Sequence, residues 1–322
     1  MRVTNSMLSK SFLRDLNRNQ SNLKKINNQL SSGKEISRPS DNPYKAARSM
    51  QLSSDIKAAI QYNENIKDTT NWLDTTDTAL QQLENSFQRI RELMVSSGNA
   101  AYGVDEKKAI KDEINEKVNE IAQILNTNFD GKYIFGGTKV NSKPVIVGSD
   151  VTGNNKLYYS SSDGTIIADP STSNEMEMLA SGLIVEISQG VTMKYNVSST
   201  EILEFGEGAN KVNVMNLLTD ITNSLDSEDS SEVTGNLLSQ MDSTISNLLK
   251  IMSEVGAKQN RMESAATQNE DQILNLKDVL SKTEDIDFAE KTIEATVAQT
   301  VYMASLQVSA RIIQPTLLDF LR

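Results

Sequence analysis

Residues 30–47 read "LSSGKEISRPSDNPYKAA". The chain is periodic in the manner of an amphipathic helix before this stretch and again after it. Gly33 is placed to end the first helix in a left-handed cap, a conformation glycine adopts without steric cost. Pro39 holds Ser37 and Arg38 extended. Asn42 reads as an N-cap with Pro43 at the first helical position. The stretch is therefore a polar helix–loop–helix connector without His, Cys or a reactive pair. With one glycine and no preceding strand, it is far from a phosphate-binding loop.

Glycine and proline divide the rest of the chain. Ten of the fifteen glycines lie between 131 and 208, with Pro144 and Pro170. The flanks are nearly free of both, which predicts helical ends enclosing a middle of strands and turns. In the C-terminal flank, steps of three and four pick out Leu238, Met241, Ile245, Leu248, Met252, Val255, Gln259, Met262, Ala266, Asn269, Ile273, Leu276 and Leu280. Such a repeat is the coiled-coil signature, with Gln259 and Asn269 as register-setting positions. Leu73, Thr76, Leu80, Leu83, Phe87, Ile90 and Met94 repeat the spacing upstream, and Ile110, Ile114, Ile121 and Leu125 mark a shorter helix. These three helices can bury their seams as an antiparallel bundle.

The middle holds short β-branched or alternating runs, "KYIFGG", "KPVIV", "KLYYS", "GTIIAD", "LIVEIS" and "VTMKYNV", separated by turn residues. They predict an antiparallel sheet or small barrel. The fold class is thus α+β: a long coiled-coil bundle formed by both chain ends, with an inserted small antiparallel β domain. Terminal helices occupy 1–45 and 285–322, the bundle core 46–140 and 212–284, and the β insert 141–211. An insert with its own core should be removable without unfolding the helices.

Two further seams lie at the ends. One comprises Phe12, Leu16, Asn19, Leu23, Ile26 and Leu30; the other Val297, Val301, Ala304 and Val308. They pair with each other, or wait for partners from other copies.

Composition narrows the function. The chain of 322 residues has no Cys and no His, which removes disulfides, thiolate and imidazole catalysis and His/Cys zinc sites. No cofactor or metal site and no catalytic residue is expected. Asp150, Asp163 and Asp169 sit in turn-like surroundings, where Asp serves backbone geometry. Net charge is −11, yet residues 1–45 hold nine Lys or Arg against three Asp or Glu. Such an arm can meet nucleic acid, an anionic membrane or acidic neighbours in an assembly. With only Phe12 and Tyr44 as aromatics, no base-stacking platform is visible. No apolar run spans a bilayer and no cleavable secretory signal opens the chain. No nucleic-acid or membrane partner is expected.

The connector also resembles the segment near the N-terminus of bacterial flagellins and their junction relatives. "RIRELMVSSGNAAYGVDEKKAI", "EVGAKQNRMESA" and "DIDFAEKTIEATVAQTVYMASLQVSARIIQPTLLDFLR" are similar to further family segments, in the family's order. The likeness covers about residues 1–140 and 212–322. "RPSDNP", "FDGKYIFGGT" and "ARIIQPTLLDFLR" favour the junction relatives over filament flagellin. The resemblance implies a non-enzymatic, self-assembling motility protein, exported unfolded through the flagellar type III apparatus with an export chaperone. It implies an extracellular ring-like layer at the distal end of the hook, between a preceding junction protein and flagellin, with filament flagellin as the alternative. The candidate assembly interface is Phe12, Leu16, Leu23, Ile26, Leu30, Arg38, Asp41, Val297, Val301, Val308, Arg311 and Phe320.

Overall fold

The computed structural model describes residues 5–99, 103–150, 152–167, 174–206, 208, 211–226 and 231–318. Four long helices dominate: α1 (Asn5–Ser32), α2 (Pro43–Ser97), α8 (Asn236–Glu284) and α9 (Phe288–Leu318). The chain divides into two compact units, residues 1–60 with 271–322, and residues 61–270.

The larger unit is built on the predicted seams. Leu73, Thr76, Leu80, Leu83, Phe87, Ile90 and Met94 are all buried on α2, as are Ile110, Ile114, Ile121 and Leu125 on α3 (Val104–Leu125). On α8, the seam positions from Leu238 to Asn269 are buried or half-buried. Its two polar members bind specific groups. Gln259 Nε2 donates to Asp74 Oδ1 at 2.9 Å. Buried Asn269 Nδ2 donates to the Ile187 carbonyl at 2.9 Å, so it anchors a strand to the helix.

A further helix, α6 (Val214–Asp226), was not expected. It buries Val214, Leu217, Leu218, Ile221 and Leu225, a three- and four-residue spacing as regular as the other seams. Shorter helices are α4 (Asn174–Ala180), α5 (Ser199–Leu203) and α7 (Ser231–Thr234).

The inserted segment is antiparallel, but it forms neither a single sheet nor a barrel. Among the described residues there are four separate two-stranded ladders. β1 (Asn128–Phe129) pairs with β2 (Lys132–Tyr133), and β3 (Val145–Ser149) with β4 (Asn155–Tyr159). β5 (Ile184–Ser188) pairs with β6 (Val191–Lys194), and β7 (Glu204–Phe205) with β8 (Val212–Asn213). Isolated hairpins are marginal in water, and these are held by the helices. Val145, Leu157 and Tyr159 of β3–β4, with Ile187 and Met193 of β5–β6, join the same hydrophobic cluster as Phe87, Ile114, Leu218 and Leu248. The insert thus has no separate core, which corrects the expectation that it could be removed cleanly.

The paired glycines of "YIFGGT" explain one tight packing site. Gly137 has φ +61°, and a Cβ there would lie 2.3 Å from the Leu179 carbonyl oxygen and 2.4 Å from that of Met178. Only glycine lets this backbone approach the end of α4. Beside it, buried Lys139 donates to Glu175 Oε2 at 3.0 Å and to the Ser160 carbonyl. The bond from Lys139 is the main reason the Glu175 carboxyl is held below the usual carboxylate range. Asp150 and Asp163 lie in hydrogen-bonded turns, closed by Gly153 N–H to Asp150 O and Gly164 N–H to Ser161 O. Asp169 lies outside the described residues.

Candidate assembly interface

Within the smaller unit, α1 and α9 pack together antiparallel: Asn19 Nδ2 reaches Ser305 Oγ at 3.5 Å, while Gly33 lies beside Phe288. Phe12, Leu16, Leu23, Ile26 and Leu30 are half-buried along one face of α1, as its periodicity predicts. The opposite surface exposes Lys10, Arg14, Arg18 and Lys24.

The second terminal seam is displaced by one residue. The half-buried positions of α9 are Lys291, Glu294, Ala295, Ala298, Tyr302, Ser305 and Ser309. Val297, Val301 and Val308 stay 57%, 46% and 49% exposed, beside exposed Ile293. Valine periodicity misled because α9 is rich in apolar and small residues on every face, so no stripe stands out. The small side chains Ala298, Ser305 and Ser309 allow close approach, and the valines are left over. A cavity of about 600 Å³ between the two helices is lined by Asn19, Lys25, Ile26, Glu35, Val297 and Val301, among others. Arg311 lies on α9, its side chain outside the described residues, as is the whole of Phe320.

The connector takes the predicted local form. Gly33 has φ +72° and its N–H donates to the Gln29 carbonyl at 2.8 Å. Asn42 Oδ1 accepts from Lys45 N–H at 3.1 Å, capping α2, with Pro43 its first residue. Asp41 serves the turn: its N–H donates to the Arg38 carbonyl at 2.9 Å and its Oδ2 accepts from Arg38 N–H at 3.0 Å. Arg38 is exposed, and among the described residues its guanidinium has no ion-pair partner. Tyr44, close by in sequence, is also exposed.

Sequence reasoning missed the partner of this connector, which is the break between α8 and α9. Glu35 N–H donates to the Glu284 carbonyl at 2.6 Å, and Ile286 N–H to the Gly33 carbonyl at 3.1 Å. The Glu284 side chain accepts from Lys34 Nζ and Ser49 Oγ. Partial burial pushes its carboxyl up, but the bonds from Lys34 and Ser49 outweigh that and hold it below the usual carboxylate range. Buried Gln29 closes the joint by donating to the Glu35 carbonyl at 2.6 Å. No local motif signals that residues 34 and 285 are neighbours.

Among the described residues, no group of three His, Cys, Asp or Glu is placed to hold a metal, and no helix is long and apolar enough to cross a membrane. What the arrangement offers is a helix pair with a basic outer face on α1, an apolar strip on α9, and a rigid polar loop at its base.

Two family models match the chain, the bacterial flagellin N-terminal helical region over residues 3–140 and its C-terminal counterpart over 238–321. Together they take in well over half of the chain. A flagellin of Clostridium tyrobutyricum is 31% identical over 141 residues, 44% of this chain and 37% of that protein. The flagellar hook-associated protein 3 of Escherichia coli is 22% identical over 315 residues, 95% of each chain. The chain therefore spans little more than a third of the flagellin but nearly all of the hook-associated protein. Among solved structures, hook-associated protein 3 of Legionella pneumophila superposes with a TM-score of 0.58 at 14% identity, covering 72% of this chain and 98% of that one. Bacillus cereus FlgL gives 0.51 at 22% identity, covering 72% and 99%. These superpositions show a shared fold.

Proposed function

The chain belongs to the bacterial flagellin family, and from that premise we propose that it is a structural subunit joining hook to filament at the distal end of the flagellar hook. The end-to-end match to the Escherichia coli hook-associated protein carries this reading. A filament flagellin is the second reading, favoured only by the higher identity of the shorter flagellin match.

The terminal pair supplies the means of assembly. Val297, Val301 and Val308 expose apolar surface that association can bury, at about 25 cal/mol per Å². Basic side chains on α1 suit the acidic remainder of neighbouring copies. Arg38, in a turn stiffened by Pro39 and Asp41, extends the interface at the loop. Copies form a ring-like layer through these groups together with Phe12, Leu16, Leu23, Ile26, Leu30, Arg311 and Phe320. The preceding junction protein lies on the hook side and flagellin on the filament side. The subunit leaves the cell through the flagellar export apparatus with a chaperone and no cleavable signal, and it performs no catalysis. The terminal helices at 1–45 and 285–322 serve as the inner assembly domain, with the helical bundle core at 46–140 and 212–284 and the inserted β domain at 141–211.

The test is electron microscopy of hooks already bearing the preceding junction protein. Added subunit should form one terminal layer and then accept flagellin. Long filaments grown from the subunit alone would establish the flagellin reading instead.

A further inference from the structure

We infer that the cavity beside Trp72, in the larger unit, is a binding site for a pyranose sugar. The cavity measures about 520 Å³ and is lined by Asp68, Thr69, Trp72, Phe129, Asp130, Lys132 and Tyr195. It is roughly the size of a small-ligand pocket.

Its wall is aromatic. Phe129 and Tyr195 each stand nearly perpendicular to Trp72, at 85° and 88°, with centroids 6.1 and 5.8 Å away. Trp72 is buried, whereas Phe129 and Tyr195 are half-buried and keep part of their surface toward the cavity. Aromatic carbon of this kind suits the axial C–H face of a sugar ring.

Its rim is polar and unspent. Asp68, Asp130 and Lys132 are exposed, and among the described residues none has an ion-pair partner. The β1–β2 hairpin carries both: Asp130, with φ +50°, and Gly131, at +76°, form its turn, and Lys132 opens β2. A second sign is the indole N–H of Trp72, which is buried and, among the described residues, has no acceptor. Buried donors are normally paired, so this residue carries a polar group left unmatched, and Trp72 is one of the residues that line the cavity.

The mixture of charges selects the ligand class. An organic cation would suit the rings and two carboxylates but would face the Lys132 ammonium. A sugar hydroxyl donates to a carboxylate and accepts from an ammonium, so vicinal hydroxyls satisfy both signs at once. The inference is independent of where the subunit sits in the flagellum.

Trp72 is the only tryptophan in the chain, so its fluorescence reports directly from the cavity wall. The intact protein is titrated with glucose, galactose, mannose, N-acetylglucosamine and N-acetylgalactosamine, with tetramethylammonium chloride as the cationic comparison. At least one sugar should give a saturable emission change at millimolar concentration. In Asp130→Asn, whose side chain tolerates the left-handed backbone, and in Lys132→Gln, that affinity should fall about tenfold, with helix content by circular dichroism unchanged. No saturable change with any of the sugars would overturn the proposal. A response to tetramethylammonium alone would also overturn it and make the cavity a cation site. Equal affinity in the parent and both variants would show that the sugar binds elsewhere.

Discussion

Ile286 donates its backbone N–H to the Gly33 carbonyl oxygen at 3.1 Å, joining two breaks that lie some 250 residues apart in the chain. The terminal helices are therefore hung from one joint, in which Glu284, at the end of α8, binds the first connector through its backbone carbonyl and its side chain, and Ser49 of α2 through its side chain.

The joint should weaken in acid. The Glu284 carboxyl is held below its ordinary value. Its contribution is therefore fully present above the unfolded-state value and is lost as pH falls through the lower, folded one. Amide exchange across α1 and α9 should accelerate over that acidic range in the parent protein. In Glu284→Gln it should be faster at neutral pH and show less change across the same range.

Arg38 and Asp41 should separate cleanly. Asp41 caps a turn, so Asp41→Ala should lower monomer stability by about 1 kcal/mol. Arg38→Ala removes an exposed side chain and should change it by less than about 0.5 kcal/mol, yet impair filament attachment. Thermal melts beside a motility assay in cells lacking the native protein make the comparison. Normal attachment with Arg38→Ala would remove this residue from the interface.

Seam positions on α8 should differ along its length. Leu248 is 1% exposed and sits in the main cluster, so Leu248→Ala should cost about 2–5 kcal/mol. Leu276 is only half-buried and should cost clearly less when truncated. Denaturant midpoints of the two variants give the ordering.

Two glycines with positive φ offer a matched pair. Gly131→Ala meets open space and should cost about 1 kcal/mol, the backbone penalty alone. Gly137→Ala drives a methyl group into two carbonyl oxygens and should cost at least about 3 kcal/mol. Similar melting temperatures for the two would contradict the packing described at the end of α4.

Excising about 145–208 should damage the helices. Tyr159, Leu157 and Ile187 leave with the insert, exposing the surfaces of α3, α6 and α8 that they cover. The shortened protein should keep much of its helical circular dichroism but melt broadly. A sharp, parent-like transition would show that the helical core closes without the hairpins.

How much of this was legible depended on range. The long seams of α2 and α8 and the caps at Gly33, Asn42 and Pro43 are local or periodic, and such signals survive in a single sequence. The short ladders offered no period long enough to fix their partners, so strand runs were found but a common sheet was wrongly supplied. On α9, surplus apolar residues concealed the face used, and the seam was placed one residue early. The α6 helix carried a readable pattern that the turn-rich composition around it obscured. The joint between residues 33–35 and 284–286 had no local signal, because a two-residue backbone pairing imposes almost nothing on side-chain identity.

The pairing of Asn19 with Ser305 spans 286 positions. A growing polypeptide presents α1 well before its partner, with the whole body between them. In an unfolded chain, closing so long a loop is entropically unfavourable. Once the intervening residues have folded and the two connectors have met, only the short remainders need to find each other. Connectivity thereby favours an order in which the body forms first and the two terminal helices close last. A nascent chain halted between α8 and α9 would carry the residues of the whole body and a solitary, basic first helix.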